Sequence, residues 1–183
     1  MNYSKIKKLE IIDALVISVV GTFLHFLFEL SGKNKFVALF SPVNESTFEH
    51  LKLLFFSWLI FLIFELIVLC RSPITLRCYE YILPAKTIGV FCGMIAIIVS
   101  FYTYSGVLGF TVGIINVLTF FAGVAVQYFV TMKVYKGGHY AGLSNLIIGV
   151  LFILFMSVVF FVFTYNTPKI SLFLDPVTKS YGI

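Results

Sequence analysis

Long runs of apolar residues dominate the chain, and short polar breaks separate them. A helix that crosses a bilayer needs about 20 predominantly apolar residues, and the runs reach or approach this length. They lack the alternation of apolar and polar positions that marks barrel strands, so each run predicts a helix. We therefore predict an all-α, polytopic transmembrane helix bundle in which residues 1–183 form a single domain. The five predicted spans are Leu9–Leu30, Asn44–Cys70, Pro84–Tyr102, Val107–Met132 and Ala141–Phe163.

Several breaks carry residues that begin or end helices. Gly32 suits the left-handed position after the first span, and Ser46 with Glu49 matches the S-x-x-E capping box at the start of the second. Pro84 suits the first turn of the third span, which makes residues 71–86 a predicted loop. The amphiphilic linker 34–44 either lies in the interface or dips into the bundle. The tail 167–183 is expected to be ordered only if it packs back.

Composition supports the membrane interpretation and suggests an orientation. Of the 183 residues, 60% are hydrophobic and 11% are charged, whereas soluble domains carry about 25% charged residues. The net charge of +5 arises from Lys and Arg near span ends, so we interpret it as a topology signal and predict no nucleic-acid partner. Eight of these residues share the N-terminal side, which favours a cytoplasmic N-terminus and an external C-terminus. They are Lys5, Lys7, Lys8, Arg71, Arg77, Lys86, Lys133 and Lys136. The five residues on the other side are Lys33, Lys35, Lys52, Lys169 and Lys179.

Five ionisable residues flank the linker between the first two spans. His25 and Glu29 lie four residues apart at the end of one span, and Glu45, Glu49 and His50 open the next. Because the two spans are antiparallel and joined by a short linker, these side chains are expected near one membrane surface and form our candidate ligand-binding set. Imidazole and carboxylate ligands suit zinc, manganese or iron. A bound divalent metal would activate water, with Glu49 as the candidate general base.

A structural interpretation of the same residues stays open. Carboxylates are favoured in the first turn of a helix by its dipole, and Glu49 has a capping role available. Lys33, Lys35 and Lys52 are near enough in sequence to pair with the acidic residues. The spacing also lacks a tight metal motif such as HExxH.

A second set of charges lies toward the other end of the spans. Asp13 on the first span, Glu65 on the second and Lys86 on the third fall at similar depth. Buried charges are normally paired, so we interpret this set as a structural polar cluster. A proton relay is the alternative, although the intervening Phe and Leu residues offer no polar path to the linker.

Two GxxxG patterns predict close helix approach. Gly89 and Gly93 are assigned to the third span, and Gly109 and Gly113 to the fourth. Small residues at this spacing let helices pack tightly. Packing inside the bundle is the first interpretation, and association with a second copy or another membrane protein is the alternative.

Two blocks of sequence carry a resemblance to a known family. The first comprises Leu24–Glu29 and Ser41–Lys52, and the second is the tail Leu172–Ile183. Both are similar to a family of small bacterial multi-span membrane proteins classed as a domain of unknown function. The resemblance implies a bacterial cytoplasmic membrane location and brings no activity.

Three functional hypotheses follow. The broadest is a small integral membrane protein whose external polar pocket, closed by the tail through Asp175, binds a metal ion or small ligand. A sharper version is a metal-dependent membrane hydrolase that acts on a lipid or lipid-linked substrate. The other is a solute-binding or assembly subunit of a membrane transport complex.

Overall fold

The computed structural model describes residues 3–69, 75–138 and 141–183. These residues form five α-helices, each long and apolar enough to cross a membrane. The predicted all-α transmembrane bundle is thereby confirmed. Two short 3-10 helices, Val37–Leu39 and Ser171–Phe173, lie in the linker and the tail. The long helices are α1 Tyr3–Leu30, α2 Thr47–Leu69, α3 Thr75–Leu108, α4 Gly113–Gly137 and α5 Leu143–Tyr165.

The third helix differs most from the prediction. The expected loop 71–86 is wrong from Thr75 onward, because α3 already begins there and encloses Pro84; residues 71–74 lie outside the described part of the chain. A proline inside a helix removes one backbone hydrogen bond. Packing offsets this loss, since Ile82, Leu83 and Ala85 around the proline are buried.

The turn between α3 and α4 also shifts one predicted motif. Gly109 lies in that turn with a φ of +77°, and α4 begins only at Gly113. The assignment of a Gly109–Gly113 face to the fourth helix is therefore wrong. A Cβ atom at either glycine would meet nothing within 4 Å.

The Gly89–Gly93 pair lies on α3 and packs against α4. A Cβ atom at Gly93 would lie 2.7 Å from the carbonyl oxygen of Gly123, and one at Gly89 would lie 2.0 Å from Thr131 Oγ1. Contacts this short require glycine, so this face is used within the chain.

The core centres on α2, which packs against α1, α3 and α4. Leu54, Phe55, Trp58 and Leu62 on α2 have almost no exposed surface. By contrast, α5 exposes large apolar side chains such as Leu151, Phe155 and Val158. In a bilayer, apolar residues of this kind face lipid tails at no hydrophobic cost.

The linker folds into the end of the bundle, where Ala38 and Ser41 are fully buried. The Ser41 hydroxyl donates to the Leu24 carbonyl at 2.6 Å and accepts from the Phe28 amide at 3.0 Å. Those two backbone groups bond to each other in a regular helix, so Ser41 lies in the hydrogen-bond ladder of α1, beside His25.

The C-terminal tail packs back onto the same end. Phe173 is buried, with its ring centroid 4.3 Å from that of Phe48 on α2. Leu174 and Tyr181 pair in an antiparallel bridge, and the Asn44 side-chain amide donates to the Gly182 carbonyl at 3.0 Å. Linker and tail therefore form one surface over the ends of α1 and α2.

Candidate metal centre

Three of the five sequence-predicted residues come together at this end of the bundle. His25 lies on α1, Glu45 in the linker and His50 in the first turns of α2. His25 Nε2 lies 3.8 Å from Glu45 Oε1, and His50 Nε2 lies 3.4 Å from Glu45 Oε2. One candidate ligand atom from each residue lies within 4.8 Å of the other two. We refer to these three residues as the His–Glu–His site.

The His50 ring is oriented by its own helix. Nδ1 lies 2.9 Å from the Ser46 carbonyl oxygen. Since a carbonyl only accepts, Nδ1 carries the proton, and a neutral ring then presents the lone pair of Nε2 toward Glu45. Metal-bound histidines use the same arrangement, in which the second nitrogen donates to an outer oxygen. His25 Nδ1 has no such partner among the described residues.

Glu45 is positioned by a turn just before α2. Asn44 Oδ1 accepts from the Ser46 amide at 2.9 Å, and Ser46 Oγ accepts from the Glu49 amide at 3.4 Å. Ser46 therefore caps α2 as predicted, while Asn44, rather than the expected Glu49, takes the Ser46 amide. When the His50 ring is protonated, Nε2–H donates toward the Glu45 carboxylate, and this interaction is the main reason that the pKa of Glu45 lies below its usual value. Glu45 is therefore ionised at neutral pH.

A cavity of about 380 Å³ opens beside the site. His25 and Glu45 line it from one side, and tail residues line it from the other. Asp175 is one of these, and its carboxylate accepts from the Val177 amide and the Thr178 hydroxyl, both at 2.8 Å. Its two oxygens therefore hold the tail in a turn.

The other two predicted residues have different surroundings. Glu29 lines the same cavity but is exposed, with Oε1 3.6 Å from Lys33 Nζ. Glu49 is buried, and its Oε2 accepts from Lys52 Nζ at 2.6 Å and from the Val43 amide at 3.0 Å. Glu49 is not among the residues that line the cavity.

Lys52 is a structural residue whose burial the sequence did not reveal. It has no exposed surface, and its ammonium also donates to the Ala38 carbonyl at 2.9 Å and Thr164 Oγ1 at 2.7 Å. These bonds tie α2 to the linker and to α5. The available signal was the i,i+3 spacing of Glu49 and Lys52 on one helix face.

The second predicted set comes together around Lys86, far along α1 from His25. Lys86 Nζ lies 2.7 Å from Asp13 Oδ2, 2.7 Å from Glu65 Oε2 and 3.2 Å from Glu10 Oε1. Glu10 was not predicted as a member of this set, although it lies three residues before Asp13 and so shares its helix face. We refer to Glu10, Asp13, Glu65 and Lys86 as the Lys86 cluster.

Five apolar helices with buried ion pairs between them define a multi-pass α-helical membrane protein. The chain belongs to the family of unknown function DUF6512, whose model matches residues 1–183. The predicted membership of an uncharacterised family of multi-span membrane proteins is thus confirmed. Neither the curated proteins nor the solved structures contain a match to the chain.

Proposed function

We propose that this protein binds a divalent transition-metal ion through His25, Glu45 and His50. Zinc is the ion that we expect this site to bind most tightly. The observation that carries the proposal is the convergence of two imidazoles and one carboxylate on a common point. Borderline-soft ions prefer this mixture of nitrogen and oxygen ligands. Manganese and iron accept the same ligands and are the competing occupants.

The distances within the site support this proposal. Around a tetrahedral zinc ion with bonds of about 2.0–2.1 Å, neighbouring ligand atoms lie about 3.3 Å apart. The two histidine-to-glutamate distances, 3.4 Å to one carboxylate oxygen of Glu45 and 3.8 Å to the other, are near this spacing. They exceed the range of about 2.7–3.2 Å for a good N–H···O hydrogen bond. A direct histidine–glutamate pair would therefore be a poor one, whereas an ion between the three groups satisfies them together.

The cavity supports a second candidate, metal-dependent hydrolysis of a lipid or lipid-linked ester. Zinc sites with three protein ligands and an open fourth position are typical of catalysis, and the cavity adjoins two of the three ligands here. A zinc-bound water in that position would be the nucleophile. Glu49 is paired with Lys52 outside the cavity, which argues against it as the general base.

We further propose a bacterial cytoplasmic membrane location, with the N-terminus inside and the His–Glu–His site outside. The charge distribution of the sequence supports this orientation. The linker and the tail lie at one end, opposite the start of α1. Reporter domains fused in turn to each terminus test it, since only the C-terminal fusion is expected to be active outside the membrane.

Metal content tests the main proposal. The detergent-purified chain is expected to bind about one zinc per molecule, and the His25→Ala/His50→Ala variant is expected to bind none. Glu29→Gln is the matched control, because Glu29 lines the cavity outside the three-residue group, and it should keep the metal. Cobalt substitution gives an independent signal, the visible absorption of a tetrahedral site. Zinc binding that is equal in wild type and double variant would contradict the proposal.

Ester hydrolysis tests the second candidate. Zinc-loaded wild type is expected to hydrolyse chromogenic carboxylic or phosphoric esters in lipid micelles, and His50→Ala is expected to be inactive. A zinc-loaded protein without activity toward either ester class would refute the hydrolase while leaving the metal site standing.

A further inference from the structure

The Lys86 cluster contains more negative than positive groups. Three carboxylates surround one ammonium, so full ionisation would leave two uncompensated negative charges. None of the four side chains is more than 3% exposed. Buried charges in a membrane protein are tolerated when they are paired. Each carboxyl group that binds a proton lowers this surplus by one, so a single proton halves it.

Polar groups from the other helices around the cluster do not remove the surplus. On α4, Gln127 is fully buried and donates from Nε2 to Asp13 Oδ2 at 3.3 Å. The buried Tyr135 side chain, also on α4, faces the same three carboxylates and offers one hydroxyl donor toward Glu10. Both groups are uncharged. Among the described residues, the cation that faces the three carboxylates is therefore Lys86 on α3. The carboxylates belong to Glu10 and Asp13 on α1 and to Glu65 on α2.

The hydrogen bonds of the cluster also lack donors. Five buried acceptors have no hydrogen-bond partner among the described residues: Glu10 Oε1 and Oε2, Asp13 Oδ1, Glu65 Oε2 and Gln127 Oε1. Buried polar atoms are nearly always satisfied, so five such acceptors in one place indicate a missing donor. A protonated carboxyl supplies an O–H donor and removes a negative charge at once.

A metal ion is a poorer explanation. Lys86 Nζ already occupies the point toward which the three carboxylates converge, at 2.7–3.2 Å. An ammonium has three N–H donors, which matches three surrounding carboxylates. The central position for a cation is thereby filled.

We infer that the Lys86 cluster is a proton-binding site in which the Glu10 carboxyl carries the exchangeable proton. Glu10 is the weakest partner of Lys86, at 3.2 Å against 2.7 Å for both Asp13 and Glu65. Neither Glu10 oxygen accepts a hydrogen bond of good geometry. Asp13, by contrast, accepts from both Lys86 and Gln127 through Oδ2. The proton comes from water and resides on a Glu10 oxygen, where it donates into the cluster.

Infrared spectroscopy of the full-length protein in a detergent without ester groups tests this inference. A protonated carboxylic acid has a carbonyl band that an ionised carboxylate lacks. We expect this band at neutral pH in wild type, and a loss equivalent to one carboxyl group in Glu10→Gln. Glu29→Gln is the matched control, because its carboxylate is exposed and paired with Lys33, and it should leave the band unchanged.

Glutamine imitates a protonated glutamate in shape and charge, so Glu10→Gln should fold with wild-type helix content. If it does not fold, ¹³C chemical shifts of labelled glutamate in the wild type still distinguish a protonated from an ionised carboxyl. The inference is overturned if no protonated carboxyl is present at neutral pH, or if Glu10→Gln leaves the band intact.

Discussion

Replacing Lys52 with methionine removes the ammonium that joins α2 to the linker and α5. The methionine keeps most of the apolar stem, so the change isolates the loss of charge and of hydrogen bonds. In the wild type, Lys52 Nζ donates to Glu49 Oε2, the Ala38 carbonyl and Thr164 Oγ1 at 2.6–2.9 Å. The variant leaves Glu49 as a buried carboxylate without its cation.

The magnitude follows from burial. Lys52 has no exposed side-chain surface and Glu49 only 5%. Removing one partner of a buried ion pair costs about 3–5 kcal/mol, because the remaining charge is uncompensated. The orphaned Ala38 carbonyl adds about 1–3 kcal/mol if no water reaches it. We therefore expect Lys52→Met to lose at least about 3 kcal/mol of unfolding free energy, roughly a hundredfold in the folding equilibrium.

The assay is reversible unfolding in mixed micelles, with helix content as the signal. Glu49→Gln/Lys52→Met is the informative comparison, since the neutral side-chain amide that replaces the Glu49 carboxylate still accepts from the Val43 amide and no charge is left alone. It should recover most of the lost stability. Glu29→Gln, which breaks an exposed pair, should change the free energy by less than about 1 kcal/mol. A loss below about 1 kcal/mol for Lys52→Met, or a double variant no better than the single one, would refute the reasoning.

Three further predictions use other parts of the structure. Gly93→Ala should lose about 1–3 kcal/mol of unfolding free energy in the same assay, because its Cβ atom would lie 2.7 Å from the Gly123 carbonyl oxygen. Gly106→Ala is the control and should lose no unfolding free energy, because a Cβ atom there would meet nothing within 4 Å. Equal losses in the two variants would contradict this prediction. Ser41→Ala should weaken zinc binding at unchanged helix content, since the Ser41 hydroxyl holds the backbone of α1 beside the proposed ligand His25. An unchanged zinc affinity would contradict this prediction. Zinc affinity should fall on acidification through about pH 6–7, where free imidazoles gain protons, because protonated histidine cannot bind metal. The lowered pKa of Glu45 keeps its carboxylate ionised in this window, so zinc retention down to about pH 4 would refute histidine ligation.

The candidate site was only partly predictable from sequence. Spacing alone gave five polar residues near one membrane surface, and it did not distinguish which carboxylates would reach the two imidazoles. The structure selects Glu45 because the turn at Asn44–Ser46 carries it toward both imidazoles. Glu29 instead lies at the exposed end of α1 beside Lys33. Which carboxylate faces inward depends on backbone geometry that residue spacing does not encode.

The sequence by itself determined the class of the protein, because five apolar runs without charges at their centres can be satisfied only as membrane-spanning helices. It also determined that some charges must be buried, since they lie within or beside those runs. Tertiary structure alone decided how these charges are paired. Lys52 became a tie between three elements, and Glu10 joined Asp13 and Glu65 around Lys86. The physical reason is that a buried charge is stabilised by partners distant in the chain, whose positions follow from helix packing and not from local pattern.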